Sequence, residues 1–491
     1  MKIYTLVALI TIAAIFLYVE VHQALYLEEL EARSGGKGYV SDEVWYVDSA
    51  RNILEKIFGL RPSSPSCATL VYDNVSDVDR AIVLAPAEGI KVVDSGYSKI
   101  YAVYVCGDSD RIEKLANETH AKDIVWGWRV GDAENIDTYL NLEHPPLAKY
   151  LIALSILLLG DRPFNWRIPS IVFGVALVVL TFFIAREISK DDLIALLVTA
   201  LVAVDPLVRN MSSIAMLDIF VATGSAIAVL LALRRRFLAS CIAVAISACF
   251  KWSALLTYVP ISFLYIKHLV SRGTRAFSDI VFEICRLGLA TLFLFLSIDI
   301  LVSIPLIAYV GLVDWFSNAV FGAISWHLSV KCVGPGCSSS APWDWFLGVN
   351  TFPLYLSKEL SLYAQGYVPI YIACFVLMLL APPYLARCKP PSRDAWYLVT
   401  GLFIGYVLLW LAGSRTQYSF YAVHLAPYVN LFVVMMLVEL ADRNNLEVFV
   451  HSLINAFVVA LEPFRRAASR IRRVLQNVFE GIWSIVLKLF E

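Results

Sequence analysis

The chain has 491 residues, of which 59% are hydrophobic and only 16% charged, and its formal net charge is −1. Soluble domains carry about 25% charged residues, so this composition defines an integral membrane protein. A near-neutral balance removes nucleic acid from the partners to consider.

The opening "MKIYTLVALITIAAIFLY" is long enough to span a bilayer and lacks a small-residue cleavage site. It predicts a retained anchor over 1–20 and not a cleaved signal. Further apolar stretches recur at 167–186, 193–209, 212–233, 237–250, 253–270, 286–311, 367–386, 395–412 and 420–440, with 446–462 as a candidate eleventh span. The flanking cations set the orientation. Lys2, Arg186, Lys190, the run Arg234-Arg235-Arg236, the Lys267 to Arg275 and Arg387 to Arg393 segments and Arg443 all fall on the cytoplasmic side if "LAKYLIALSILLLG" (147–160) is not a full span. Its fourteen residues are too few for a ~30 Å core, so a juxtamembrane or tilted helix is expected there. The predicted fold is an α-helical polytopic membrane protein of about 10–11 transmembrane helices.

Two segments then lie outside, 21–166 and 312–366, separated by the helical blocks 167–311 and 367–441 and followed by a tail, 442–491. Cys67 and Cys106 fall in the first outer segment, Cys332 and Cys337 in the second, and two even pairs on an oxidising side predict two disulfides. The sequons at Asn74 and Asn117 are in the first segment as well. Residues 67–131 read as a small extracytoplasmic α/β insertion. "ATLVYD", "RAIVLAP", "IKVVDSG", "KIYAVYVCG" and "DIVWGWRVG" are expected strands, and "DSDRIEKLANETH" an Asp-capped helix. In the tail, Arg465, Arg466, Arg470, Arg472 and Arg473 alternate with apolar residues at helical spacing, as in an amphipathic helix drawn to anionic membrane lipid.

On this topology the costly polar residues gather at the outer interface. They are Asp42 and Glu43; Glu143, His144 and Lys149; Arg167; Arg209 and Asp218; Lys251; His327; Asp344; and Arg415, Tyr418 and His424. Interfacial Lys, Arg, Trp and Tyr are ordinary anchors when taken singly. Asp218 inside an apolar run is harder to dismiss, because a carboxylate there costs a few kcal/mol unless paired. His144 and His327 lack regular metal-ligand spacing, and no Ser sits in a strand–turn–helix elbow. Adjacent Asp and Glu on a helix point about 100° apart and so need not share a task. One can take a proton from a hydroxyl while the other positions a group. Arg167, Arg415 and Lys149 are candidate phosphate donors.

The motifs "SDEVWY", "HPPLAKYLIAL", "FNWRIPSIVFG", "MLDIF", "FKWSAL", "SWHLSVKC" and "APWDWF" occur in the order found in the protein O-mannosyltransferase family, which the chain resembles over most of 40–430. The resemblance implies a glycosyltransferase C-type bundle. It implies inverting transfer of mannose from polyprenyl (dolichyl) phosphate to Ser or Thr hydroxyls on the extracytoplasmic face. Carried over by position, Asp42 and Glu43 become the base and its partner, and Arg167 a contact to the lipid phosphate. His144, Asp218 and His327 match motif positions, and Arg415 matches less closely. The chain departs from the family in its short second outer segment, which has no room for a β-trefoil, and in the 67–131 insertion. The acceptor therefore stays open between protein and a lipid or glycan hydroxyl, with a lipid-linked sugar transporter or flippase as the non-enzyme alternative. No cofactor is required by the sequence, and a divalent metal bridging carboxylate and phosphate stays open.

Overall fold

A computed structural model describes residues 2–62, 66–274, 276–329, 338–460 and 476. The chain begins with α1 (Ile3–Ser34) and α2 (Glu43–Asn52). The insertion follows as β1 (Cys67–Tyr72), α3 (Val75–Leu84), β2 (Lys91–Asp94), β3 (Tyr101–Cys106), α4 (Ser109–Glu118) and β4 (Asp123–Trp126). The helical body runs through α5 (Leu147–Leu159), α6 (Pro163–Ser189), α7 (Asp192–Val204), α8 (Pro206–Ser212), α9 (Asp218–Leu233), α10 (Phe237–Ala248), α11 (Tyr258–Ser271) and α12 (Phe277–Val310). Three short helices, α13 (Leu312–Phe316), α14 (Ala323–Ser329) and α15 (Asp344–Leu347), precede α16 (Val368–Leu380), α17 (Pro382–Cys388), α18 (Ser392–Leu411) and α19 (Ala426–Leu440).

Among the described residues five helices are long and apolar enough to cross a membrane, six if α16 and α17, bent by 62°, count as one. The ten or eleven expected spans are therefore not all continuous helices. At 1.5 Å per residue, α7, α9, α10 and α19 fall short of a ~30 Å core. Asp205-Pro206 breaks the expected 193–209 span into α7 and α8, and the Arg234-Arg235-Arg236 turn separates α9 from α10. α5, with 13 residues, is short as expected. α1 continues to Ser34, well past the expected end of the first span. Its outward face exposes Ile3, Val7, Ile10, Ile15 and Leu17, and α12 exposes Phe282, Leu289, Phe293 and Leu301. Such continuous apolar surface on helices whose backbone is internally bonded is what lipid demands.

One end of this body carries a cluster of basic residues. Lys267 bonds Asp394 (2.6 Å) and Arg234 approaches Glu187 (3.9 Å), joining the ends of α11, α6 and α9 to the start of α18. The Asp218, Lys251 and Arg167 ends of the same helices lie opposite.

The insertion is a four-stranded antiparallel sheet in the order β2-β3-β1-β4, two interlocked βαβ units in the split arrangement. "RAIVLAP" is helix and not strand. Asn74 caps α3 by accepting from the Asp77 amide (3.0 Å), and Val78, Ala81 and Ala85 then fall on one buried face at helical spacing. The last strand stops at Trp126, because Gly127 turns the chain with φ +108°. A Cys67–Cys106 disulfide joins β1 and β3 as expected. Cys332, Cys337 and the arginines from 465 to 473 lie outside the described residues. One sheet face carries α3 and α4. The other packs Val71, Ala102 and Val125 against Val130, Ile136 and Val44, so the insertion rests on α2, the helix that starts beside Asp42.

Candidate active site

The acidic pair divides at the start of α2. Ser41 takes a left-handed turn (φ 56°), after which Glu43 is fully buried and Asp42 only partly. Both Glu43 oxygens are consumed. They accept from the Val40 amide, from Nε and Nη2 of Arg167, and from the Ala215 amide, each at 2.8 Å. Arg167 donates as well to the carbonyls of Ala24 (2.9 Å) and Gly38 (3.0 Å). Both side chains are fully buried. The Arg167–Glu43 pair therefore ties together α1, α2, α6 and the turn before α9, and Arg167 has no face open to a ligand.

Asp42 is partly buried, and its carboxylate accepts no hydrogen bond from any described residue. Burial pushes its pKa up to about 6; Lys251 opposes the shift and Asp218 reinforces it. The two opposing groups form their own ion pair. Lys251 Nζ donates to both Asp218 oxygens at 2.9 and 3.0 Å. The ammonium also stands 4.2 Å from the ring centre of Tyr421 and 5.3 Å from that of Phe420, a cation–π setting that holds it in place.

Lys251 closes the polar end of a cavity of about 290 Å³. Glu143 and His144 stand at that end, and Trp252, Leu255, Leu256, Ile324, Leu328 and Leu409 make an apolar wall. A second cleft, of about 440 Å³, is lined by polar Asn135, Thr138, Tyr139, Asn141 and Asn318. The two clefts share Glu143, whose Oε1 accepts from the Tyr139 hydroxyl and from Asn141 (2.9 Å). Tyr46 of α2 packs 6.0 Å from the His144 ring, between the acidic turn and the cavity.

The loop carrying Glu143 and His144 is held from below. Lys149, fully buried on α5, donates to the carbonyls of Leu140 (3.3 Å), Asn141 and His144 (2.8 Å). Its ammonium thus faces backbone and not an open phosphate site. Leu147 donates to the Cys249 carbonyl (3.2 Å), linking this loop to the segment that bears Lys251.

Of the residues singled out in sequence, the fold brings together Asp42, Asp218 and His144 and places Glu43, Arg167 and Lys149 behind them. Arg415 is exposed, stacked 5.0 Å over Trp410, next to Ser414 in the cavity wall. The backbone of His327 is in α14, and its side chain is outside the described residues. Lys251 could pass in the sequence for an ordinary interfacial anchor, Glu143 stood among the costly polar residues without a role, and Tyr421 was not singled out. The signal for Lys251 was its partner, a lone carboxylate 33 positions earlier in another apolar run. Among the described residues no three His, Cys, Asp or Glu side chains gather as a metal-ligand set.

Fold and site together define a multispan membrane protein with a charged cluster where an apolar cavity meets a polar cleft. Residues 143–309 match the family described as dolichyl-phosphate-mannose-protein mannosyltransferase, which bears out the resemblance read from the motifs. The chain is 34% identical over 103 residues to a polyprenol-phosphate-mannose–protein mannosyltransferase of Corynebacterium glutamicum, and 37% over 107 residues to one of Mycolicibacterium smegmatis. These matches cover 20% and 22% of this chain, and only 20% and 21% of the relatives' own lengths. Among solved structures, ArnT from Cupriavidus metallidurans bound to undecaprenyl phosphate is similar at 16% identity. Its TM-score is 0.41, with 65% of this chain and 53% of that one covered. The Archaeoglobus fulgidus oligosaccharyltransferase AglB, in complex with an inhibitory peptide and a dolichol-phosphate, is similar at 10% identity. Its TM-score is 0.44, with 94% and 54% covered.

Proposed function

We propose that the protein is a mannosyltransferase of the glycosyltransferase C type. It would move mannose from a polyprenyl phosphate to a Ser or Thr hydroxyl of proteins, with inversion, on the extracytoplasmic face of the membrane. The observation that carries this reading is an unbonded carboxylate, Asp42, facing a Lys–Asp pair at the polar end of an apolar cavity. The family and relatives above support the sugar and the lipid carrier. The apolar wall suits the first isoprene units, and the Lys251 ammonium suits the phosphate. The acceptor enters along the polar cleft, where Asn135, Thr138 and Asn141 offer hydrogen bonds to a peptide.

The chemistry is one displacement. Asp42 removes the hydroxyl proton, and the acceptor oxygen forms a bond to the anomeric carbon from the face opposite the phosphate. The bond from that carbon to the phosphate oxygen breaks, and its electron pair leaves on the phosphate. Lys251, with Asp218 holding it, stabilises the developing charge. Arg415 adds a second cation from the rim. A base and a stabilised leaving group complete this reaction, so activity is expected to survive exhaustive dialysis against EDTA.

Purified protein in lipid, given radiolabelled polyprenyl-phosphate mannose with a Ser/Thr-rich peptide and total membrane lipid, tests the reading. Label on the peptide is expected. Label confined to lipid would keep the donor chemistry and replace the acceptor; label in neither would sink the transferase reading.

A further inference from the structure

A second cavity, of about 420 Å³, lies at the other end of the helices that carry the site. α6 carries Arg167 in its first turns and is capped by Lys190, about 35 Å from Arg167 along its axis; α9 starts at Asp218 and is followed by Arg235. Lys190, Arg235, Lys267, His268 and Lys389 surround the cavity, with Leu233, Phe237 and Leu264 forming its apolar side.

Its two carboxylates are already answered. Glu187 accepts from Lys190 (2.8 Å) and Asp394 from Lys267 (2.6 Å). Arg235 and Lys389 make no ion pair or side-chain hydrogen bond with any described residue. The cavity therefore holds two uncompensated cations, and His268, whose buried Nδ1 atom has no partner, is a further lining residue.

The backbone points the same way. Lys190, Arg235 and Lys389 have φ of 57°, 59° and 53°. They are the only Lys or Arg residues in the left-handed region among the described residues, and all three line this cavity. That conformation favours Gly or Asn at a helix end. A basic residue that merely balanced the helix dipole could sit anywhere in the last turn. Three long cationic side chains are thus set around one space on left-handed helix ends where Gly or Asn would be favoured.

We propose that this cavity binds a phosphate group, carried by an anionic lipid whose glycerol and first methylenes lie along Leu233, Phe237 and Leu264. A basic pocket between membrane helices recognises headgroups by this chemistry. The site stands apart from the sugar-transfer reading and does not depend on it.

The test is thermal unfolding of the full chain in a neutral detergent, titrated separately with phosphatidylglycerol and with inorganic phosphate. The variant is Arg235→Asn with Lys389→Asn, since Asn tolerates the left-handed backbone and removes the charge. Arg443→Asn, an exposed cation away from the cavity, is the control. A saturable rise in Tm is expected for wild type and control, with apparent affinity roughly tenfold weaker in the double variant. Response to phosphatidylglycerol alone makes lipid the source, and an equal response to inorganic phosphate makes the source a soluble phosphate. Equal titrations of wild type and double variant, or no response to either probe, would overturn the site.

Discussion

Asp42 and Glu43 are neighbours with opposite fates, and their chemistry follows from what each one touches. Glu43 is held by four donors, so its charge is fixed and spent on structure. Asp42 has none, and burial pushes its pKa up to about 6, a range in which a carboxylate is ionised at neutral pH and still able to accept a proton. If it is the base, kcat/KM falls as pH drops through about 6, because the protonated form is inactive. Asp218 raises this pKa, so Asp218→Asn, which also frees the Lys251 charge, should move the acidic limb of the pH profile to lower pH. A limb that moves upward or not at all would detach Asp42 from the profile. Arg167→Ala leaves a buried carboxylate unpaired and should cost about 3–5 kcal/mol in unfolding. Full stability with donor binding lost would instead restore the phosphate contact that the motif implies. The adjacency of the two acids was legible in the sequence. Which of them stays unbonded near Lys251 and Asp218 was not, since that depends on the Ser41 turn and on the Arg167 and Ala215 donors to Glu43, distant in sequence.

Elements set these residues in place, and two of them make separate predictions. The Glu143–His144 loop rests on the buried Lys149 ammonium. Lys149→Met should therefore speed amide hydrogen exchange over 140–146 and lower kcat/KM, while exchange in α9 stays unchanged; unchanged exchange in the loop would remove Lys149 as its support. The disulfide closes 39 residues of the insertion. Replacing Cys67 and Cys106 by Ser should destabilise that unit by about 2–4 kcal/mol, read as faster exchange across β1 and β3 with the helical body unaffected. The insertion was largely readable, because Asp108 and the alternating strands are local signals. "RAIVLAP" misled because Ile and Val favour strands, whereas the Asn74 cap and the spacing of Val78, Ala81 and Ala85 decide for helix. The broken spans were hidden for another reason. Hydropathy registers an apolar run whether or not Asp205-Pro206 interrupts the helix within it.

Across the whole molecule, the same helices carry a carboxylate–ammonium cluster at one end and a ring of cations at the other. Composition and basic flanks made that polarity visible before any coordinates, since both are summed properties of many residues. The pairing of Lys251 with Asp218 and the shared Glu143 wall are products of packing, and no window of sequence contains them. In the proposed mechanism Asp42 moves the proton while other groups hold the donor. The most direct measurement compares Asp42→Asn with wild type in donor binding, by equilibrium dialysis of radiolabelled polyprenyl-phosphate mannose, and in single-turnover transfer to peptide. Binding within about twofold of wild type with transfer lower by 10²-fold or more is the expected pair of results. Transfer at the wild-type rate would take Asp42 out of the mechanism.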